Sequence, residues 1–370
     1  MIYFISILTF ITTIYVCSIV WVIIGFFKIR EKEKTTANQE IKISIIIAAR
    51  NEEENILHCL NTLAEQNYNK DFFEVIVVND HSTDKTEKLV NSFIKENDLN
   101  VQFTSLTDKT SKKEALKHGL ELARHEVIAT TDADCVLPQN WLLNISNHFI
   151  SETDMLLGPV MFNKAKGFLS AFQTLDLLAI QGVEFGALGF NQPILNNAAN
   201  LSYISKTYKN VNGFDSFNTP SGDDIFLLEK FKKKIFKIKG ILAQDFIVET
   251  KSESSLSGFF NQRVRWSSKA KHYSDKLLLF FSGLILLQNI SLLLIYTGLL
   301  FVENHQFTLL ILLLTKWLID FILLFLVASF FRRKSVMFYF IPVQLLYPFY
   351  VIIIWIASVF MKFEWKGRKY

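Results

Sequence analysis

Hydrophobic positions follow two different rhythms along this chain. From Ile2 to Phe27 they run uncharged for long enough to carry a helix across a bilayer, and Lys28, Arg30, Lys32 and Lys34 follow at once. No basic leader or small-residue cleavage site precedes the run, so residues 1–28 read as a retained anchor, with a polar linker over 29–40. From Ile41 the rhythm shortens. β-Branched runs alternate with helical stretches at Ile43–Ala49, Glu52–Glu65, Glu74–Val78, Lys85–Ile94, Lys112–Arg124 and Glu126–Thr131. That alternation predicts an α/β unit with a mostly parallel sheet and crossover helices. Lys166–Leu188 carries an apolar stripe at near-helical spacing, suited to a core helix or to a helix resting on the bilayer. Gly240–Thr250 reads as a strand and loop before a helix around Gln262–Trp266.

The long apolar rhythm then returns. Leu277–Phe301 and Phe307–Phe331 are second and third spans joined by a turn at Glu303-Asn304-His305. Lys269, Lys271 and Lys276 precede the second, and Arg332-Arg333-Lys334 follow the third, which places both ends, and residues 41–275 between the anchors, on the cytoplasmic side. Val336–Phe360 is a fourth apolar segment interrupted by Pro342 and Pro348, and the tail 362–370 is basic again at Lys362, Lys366, Arg368 and Lys369. A full crossing would put those charges outside, so a re-entrant or interfacial segment fits better. Lys316 and Asp320 lie one turn apart in the third span, either neutralising each other or meeting a lipid or polysaccharide.

Composition agrees with this division. Half of the 370 residues are hydrophobic and 14% aromatic, too apolar for an ordinary soluble enzyme, yet the middle is polar. The formal charge is only +4 and the basic residues flank apolar segments, which argues against a nucleic-acid partner. Lys230–Lys239, with its lysines, reads as a solvated or headgroup-facing surface. Cys17, Cys59 and Cys135 are widely spaced, without the pattern of a disulfide framework or zinc site. The abundance of Ile, Lys, Phe and Asn points to a bacterial source, hence to the plasma (inner) membrane.

Candidate chemistry gathers at predicted strand ends. Asp132 and Asp134 close the run Val127-Ile128-Ala129, and residues two apart on a strand face one side. Two such carboxylates suit Mg²⁺ or Mn²⁺ that keeps positions for water and a diphosphate. Arg50-Asn51-Glu52 and Asn79-Asp80 follow two earlier strands, and parallel sheets collect ligands at those ends. Asn51 and Asp84 also suit helix caps, and Asp80 a turn. Asp223 and Asp224 follow the turn-forming Pro220-Ser221-Gly222 and would either cap the helix Ile225–Lys232 or aim a carboxylate into the cleft; Asp223 reads as the cap and Asp224 as the acid in the cleft.

SIIIAARNEEENI (44–56), VIVVNDHSTDKT (75–86), KKEALKHGL (112–120), TDADC (131–135), SGDD (221–224) and QRVRW (262–266) occur in one order. Over roughly residues 41–275 the chain resembles a membrane-bound family-2 glycosyltransferase with a GT-A, Rossmann-like nucleotide-sugar domain, similar to polysaccharide synthases and ceramide glucosyltransferase-like enzymes. The resemblance implies that Asp80 meets the uracil of a UDP-sugar, with Ala48, Arg50, Glu52 and Lys112 around the nucleotide. It implies that Asp132 and Asp134 hold ribose and metal, Asp134 being the ligand, and that Asp224 is the general base. Gln262, Arg265 and Trp266 would close over the diphosphate and shape the acceptor end. His81, Lys117 and Asn212 depart from the family pattern, the first and last standing where glycine is common.

The function expected is an inverting, metal-dependent transfer of a hexose or N-acetylhexosamine from a UDP-sugar to a membrane lipid or lipid-linked glycan. A processive polysaccharide synthase is the nearest alternative, and a non-catalytic membrane subunit retaining the fold is the alternative from another class. Retention of Asp134, Asp224 and the Arg265-Trp266 pair speaks for the enzyme.

Overall fold

The computed structural model describes residues 2–31, 41–108, 110–149, 153–164, 166–215 and 223–362, with two short tail strands at 364–365 and 368–369. A first helix, α1 (Ile2–Glu31), leads into the alternating region. There β1 (Ile43–Ala49), α2 (Ile56–Ala64), β2 (Phe73–Asn79), α3 (Thr86–Glu96), β3 (Val101–Ser105), α4 (Lys112–Leu122) and β4 (Val127–Asp132) follow in turn. Next come α5 (Trp141–Phe149), β5 (Met155–Leu157), β6 (Val160–Phe162), α6 (Phe168–Leu188), β7 (Leu201–Ile204), α7 (Ser205–Asn210) and α8 (Asp223–Lys233). The order ends with β8 (Ile238–Gly240), β9 (Val248–Thr250), α9 (Leu256–Ser268), α10 (Lys276–Phe301), α11 (Gln306–Phe330) and α12 (Phe340–Phe360).

The main sheet runs β3-β2-β1-β4-β7-β5-β8, with β1 to β4 mutually parallel and β7 antiparallel to both neighbours. Ile43, Ile45, Ile46 and Ile47 are fully buried because helices cover both faces of the parallel half. The chain leaves β1 toward β2 on one side, and β4 lies on the other. That reversal of strand order opens a crevice at the carboxyl ends of β1 and β4. Register fixes what lines it: Ala48 stands beside Asp132 of β4 and Val78 of β2, and Ala49 beside Asn79.

Several elements were not legible as periodic runs, β3 and α5 among them. β3 is an edge strand of mixed composition, half-buried along its length, and α5 buries Trp141, Leu142 and Ile145 behind a polar Gln139-Asn140 start. α2 begins at Ile56, later than the expected Glu52, because Asn51 takes a left-handed φ of 52° and turns the chain. Its side chain accepts from the Thr83 amide, so Asn51 ties two loops together instead of capping α2. Asp84 does serve the start of α3, accepting from the Thr86 amide, and it also receives the Glu53 amide. His81 (φ 57°) and Asn212 (φ 53°) are likewise left-handed, which explains why those positions favour glycine.

Among the described residues, four segments are long and apolar enough to cross a membrane: Ile2–Ile29, Lys276–Phe301, Glu303–Phe330 and Lys334–Phe360. α1 is no detached anchor, since Val22 and Phe26 are buried in the same core as Phe185 and Leu178 of α6. The two helices touch backbone to backbone. A Cβ on Gly25 would lie 1.9 Å from the Gly186 carbonyl oxygen, and one on Gly189 1.9 Å from that of Gly25.

α12 is one continuous helix despite its prolines; Pro342 sits in the first turn, where its missing N–H would have no partner. Both of its ends return to the polar region. On the way in, Arg333 donates to Glu249 of β9 (2.6 Å) and to the Phe162 carbonyl (3.0 Å), and Tyr339 meets Phe168 of α6. On the way out, Ser358 bonds Ser267 and the Val359 carbonyl accepts from Lys271. Linker residues 32–40, Ser221, Gly222, Lys366 and the side chain of Asp223 lie outside the described residues.

Candidate active site

The crevice between β1 and β4 receives side chains from α2, α4, α8 and α9. Ser111 caps α4 through the Glu114 amide, and that start places Lys112 so that its ammonium hydrogen-bonds the Asp132 carboxylate. Asp134 follows in the turn after β4, and Thr250 at the end of β9 donates to it at 3.0 Å. Buried Cys59 of α2 forms the floor, donating weakly to the Asp132 carbonyl at 3.6 Å. Burial, then Asp134, Asp132 and Glu52, push that thiol up, so three carboxylates share this wall.

No set of three or more His, Cys, Asp or Glu side chains converges among the described residues. A closed cage is therefore absent there, whereas a hard divalent ion completed by water and diphosphate oxygens suits two adjacent carboxylates. The donor set fits Mg²⁺ or Mn²⁺ in that open manner.

At the carboxyl end of β2, Asp80 is buried, receiving Thr110 Oγ1 at 2.7 Å and facing His81 Nδ1 at 3.2 Å. Arg50 donates to the Asp80 carbonyl at 2.8 Å. Glu52 is buried; its amide donates to Thr86 and its carboxylate accepts from Asn55. These contacts give Asp80 and Glu52 a part in shaping the loop. Lys117 of α4 pairs with Asp215, which accounts for a basic residue at that departure from the family pattern.

On the opposite side stands Asp224, in the first turn of α8. Its carboxylate accepts from the Ile225 amide (2.9 Å) and the Ala198 amide (3.4 Å) and lies 3.6 Å from Lys269. Burial opposes its ionisation, but Lys269, the Ile225 amide, Lys112 and the Ala198 amide outweigh that and hold it below the usual aspartate range. The acid is thus kept as carboxylate. Arg265, on α9, lies in the field of Asp132, Asp224 and Glu253, so the cation stands between the two ends of the crevice.

Gln262 and Trp266 reach this place indirectly. Gln262 donates to Glu253 at 3.3 Å and accepts from Arg263 at 2.7 Å, and the Arg263 guanidinium lies 4.1 Å over the Trp266 ring. Arg263, unremarked within the QRVRW run, pairs in the interior with Asp176 of α6 at 2.7 Å, where Tyr347 of α12 also donates at 2.8 Å. Sequence reading also passed over Lys269, taken only as a flank of the second span, and Glu184 of α6. Burial, reinforced by Asp224, lifts the Glu184 carboxyl to about 8; Gln181 donates to it at 2.6 Å, and its Oε1 has no hydrogen-bond partner among the described residues. A glutamate four residues from the end of an apolar helix gives no signal beyond its own polarity.

The sequence profile described as Glycosyl transferase family 2 matches residues 44–202, and that described as Glycosyl transferase family group 2 matches 127–360. Glycosyltransferase AglE of Haloferax volcanii is 32% identical over 130 residues, covering 35% of this chain and 42% of that protein. Poly-beta-1,6-N-acetyl-D-glucosamine synthase of Staphylococcus epidermidis is 25% identical over 264 residues, covering 68% of this chain and 57% of that one. The chain thus spans about half the length of these curated relatives. The mannosyltransferase PcManGT from Pyrobaculum calidifontis, solved with GDP-Man and Mn²⁺, superposes with a TM-score of 0.65 at 17% identity, over 96% of this chain and 99% of that one, a likeness of fold. With catalytic-type residues gathered at the β1/β4 crevice and the group profile covering residues 127–360, this chain belongs to the family-2 glycosyltransferases.

Proposed function

We propose that this protein transfers a hexose or N-acetylhexosamine, with inversion, from a nucleoside-diphosphate sugar, a UDP-sugar first of all, to a membrane lipid or lipid-linked glycan at the cytoplasmic face of a plasma membrane. The observation that carries the reading is the span of charge across the crevice: Lys112 on Asp132 at one side, Asp224 held ionised at the other, Arg265 in the field of both.

In this reading Ala48, Arg50, Glu52 and Asp80 frame the base and ribose. Arg265 and Lys112 stabilise negative charge as the diphosphate leaves, which in low-dielectric sites is a large part of catalysis. Asp134, with Asp132 beside it, would hold a divalent ion, which when bound would neutralise the diphosphate as a Lewis acid. The acceptor hydroxyl attacks the anomeric carbon; its proton goes to Asp224 and the diphosphate departs with the bonding pair. A positioned base of this kind is worth about 10²–10⁴-fold. Gln262 and Trp266 brace the helix that carries Arg265.

Polymer synthesis is the second reading, favoured by the name of the Staphylococcus epidermidis relative. Membranes containing the chain, incubated with UDP-glucose, UDP-N-acetylglucosamine or GDP-mannose and extracted with organic solvent, separate the two. A single sugar of inverted configuration on lipid is expected; a solvent-insoluble polymer would replace the first reading by the second.

A further inference from the structure

A cavity of about 210 Å³ lies behind Asp224, among α1, α6, α10, α11 and α12. Its wall includes Leu195 and Tyr273. Leu195 precedes Asn196, whose amide donates to the Asp224 carbonyl at 3.2 Å, and Tyr273 lies edge-on to Phe226, two residues beyond the acid. The cavity wall therefore adjoins segments that touch or neighbour the proposed base. Ser282 of α10 lines the cavity and is exposed, so the space opens sideways between apolar helices. There it adjoins a groove of about 340 Å³ between α1 and α10, with Phe281 in the wall of both.

Charge decides what suits this space. Among its described lining residues Lys316 is the only cation. It is paired with Asp320 at 2.7 Å, with Gln344 and Tyr15 completing the hydrogen bonds. The cluster is neutral as a whole. Lys269, beside the proposed base, is likewise matched to Asp224. Among the described lining residues of the cavity, a phosphate would meet no unneutralised cation to offset its desolvation. A hydrogen-bond donor is wanted instead at Asn196, 8% exposed, whose amide oxygen has no partner among the described residues.

We propose that the cavity seats the acceptor as a neutral, hydroxyl-bearing membrane lipid, its hydrocarbon chain entering between α1 and α10 and its hydroxyl presented to Asp224 beside Asn196. This rests on the transferase reading and names its acceptor class. The hydroxyl oxygen forms the bond to the anomeric carbon, the carbon–oxygen bond to the diphosphate breaks with its electrons on the leaving group, and the proton passes to Asp224. Because the lining is apolar and charge-balanced, lipid phosphates are the discriminated competitors.

The test uses the full chain in lipid nanodiscs with a monoglucosyl-diacylglycerol carrying a photoreactive chain. Labelling of α10 and α11 is expected, competed by unlabelled neutral glycolipid and not by polyprenyl phosphate. Ala179→Trp fills the cavity from α6 and should cut labelling at least tenfold, and Ile285→Trp, which fills it independently from α10, should do the same. Labelling competed only by polyprenyl phosphate, or indifferent to both variants, overturns the proposal, and the transferase reading stands if the donor is still hydrolysed. A wild-type chain that never turns over any donor sinks that reading and this one together.

Discussion

Lys269 holds its ammonium 3.6 Å from the carboxylate of Asp224, reaching it from the C-terminal end of the helix that carries Arg265. Burial alone would raise this acid; the lysine is the largest influence in the other direction. Wild-type kcat/KM should therefore stay flat as pH falls from neutral, losing activity only below the ordinary aspartate range of about 3.9. In Lys269→Gln the acid limb should move to higher pH. A pH–rate profile in which the variant loses activity at every pH without any displacement of that limb would contradict the pairing.

Glu184 supplies a stability prediction with a definite sign. Its folded pKa of about 8 exceeds the reference 4.5, so the folded state binds the extra proton, and stability declines as pH rises from 4.5 toward 8. That shift corresponds to at most about 5 kcal/mol. Glu184→Gln has no proton to lose. Its melting temperature in detergent should match the wild type near pH 5 and exceed it increasingly up to pH 8; parallel curves would show that Glu184 ionises without cost.

The Asp176–Arg263 pair joins α6, α9 and α12 in the interior, where both partners are buried. Removing one partner strands the other charge, which costs about 3–5 kcal/mol. Asp176→Asn should therefore unfold at markedly lower denaturant or temperature. Because Arg263 also braces Gln262 and Trp266, kcat should fall more than the donor KM rises. A stable variant with unchanged kcat would reduce the pair to decoration.

Gly25 admits the backbone of α6 so closely that even Ala introduces an overlap at 1.9 Å. Gly25→Ala should lower thermal stability by about 1–3 kcal/mol as the helices separate. The exposed Gly283, with nothing within 4 Å of an added Cβ, is the matched control expected to be neutral.

Much of this arrangement was legible in sequence because its signals are local. Strand ends followed by Asp132, Asp134 and Asp80 carry their meaning within a few residues, and hydropathy alone finds α1, α10 and α11. Lys269, Glu184, Asn196 and the Asp176–Arg263 pair are not local. Each gains its role from a partner far along the chain, Asp176 from a residue 87 positions away, and no periodicity announces such a pairing. β3 escaped for a related reason: at the sheet edge its residues are only half-buried, so the apolar pattern that marks β1 and β2 is diluted.

The central claim is that Asp224 takes the acceptor's proton in a metal-dependent sugar transfer. Nucleoside-diphosphate release by membranes containing the wild type or Asp224→Asn, across a panel of UDP-sugars and GDP-mannose with Mg²⁺ or Mn²⁺ and with chelator, tests it most directly. One donor should give acceptor-dependent release that chelator abolishes and that Asp224→Asn lowers by about 10²-fold or more. Acceptor-dependent release that persists undiminished in Asp224→Asn would contradict the account.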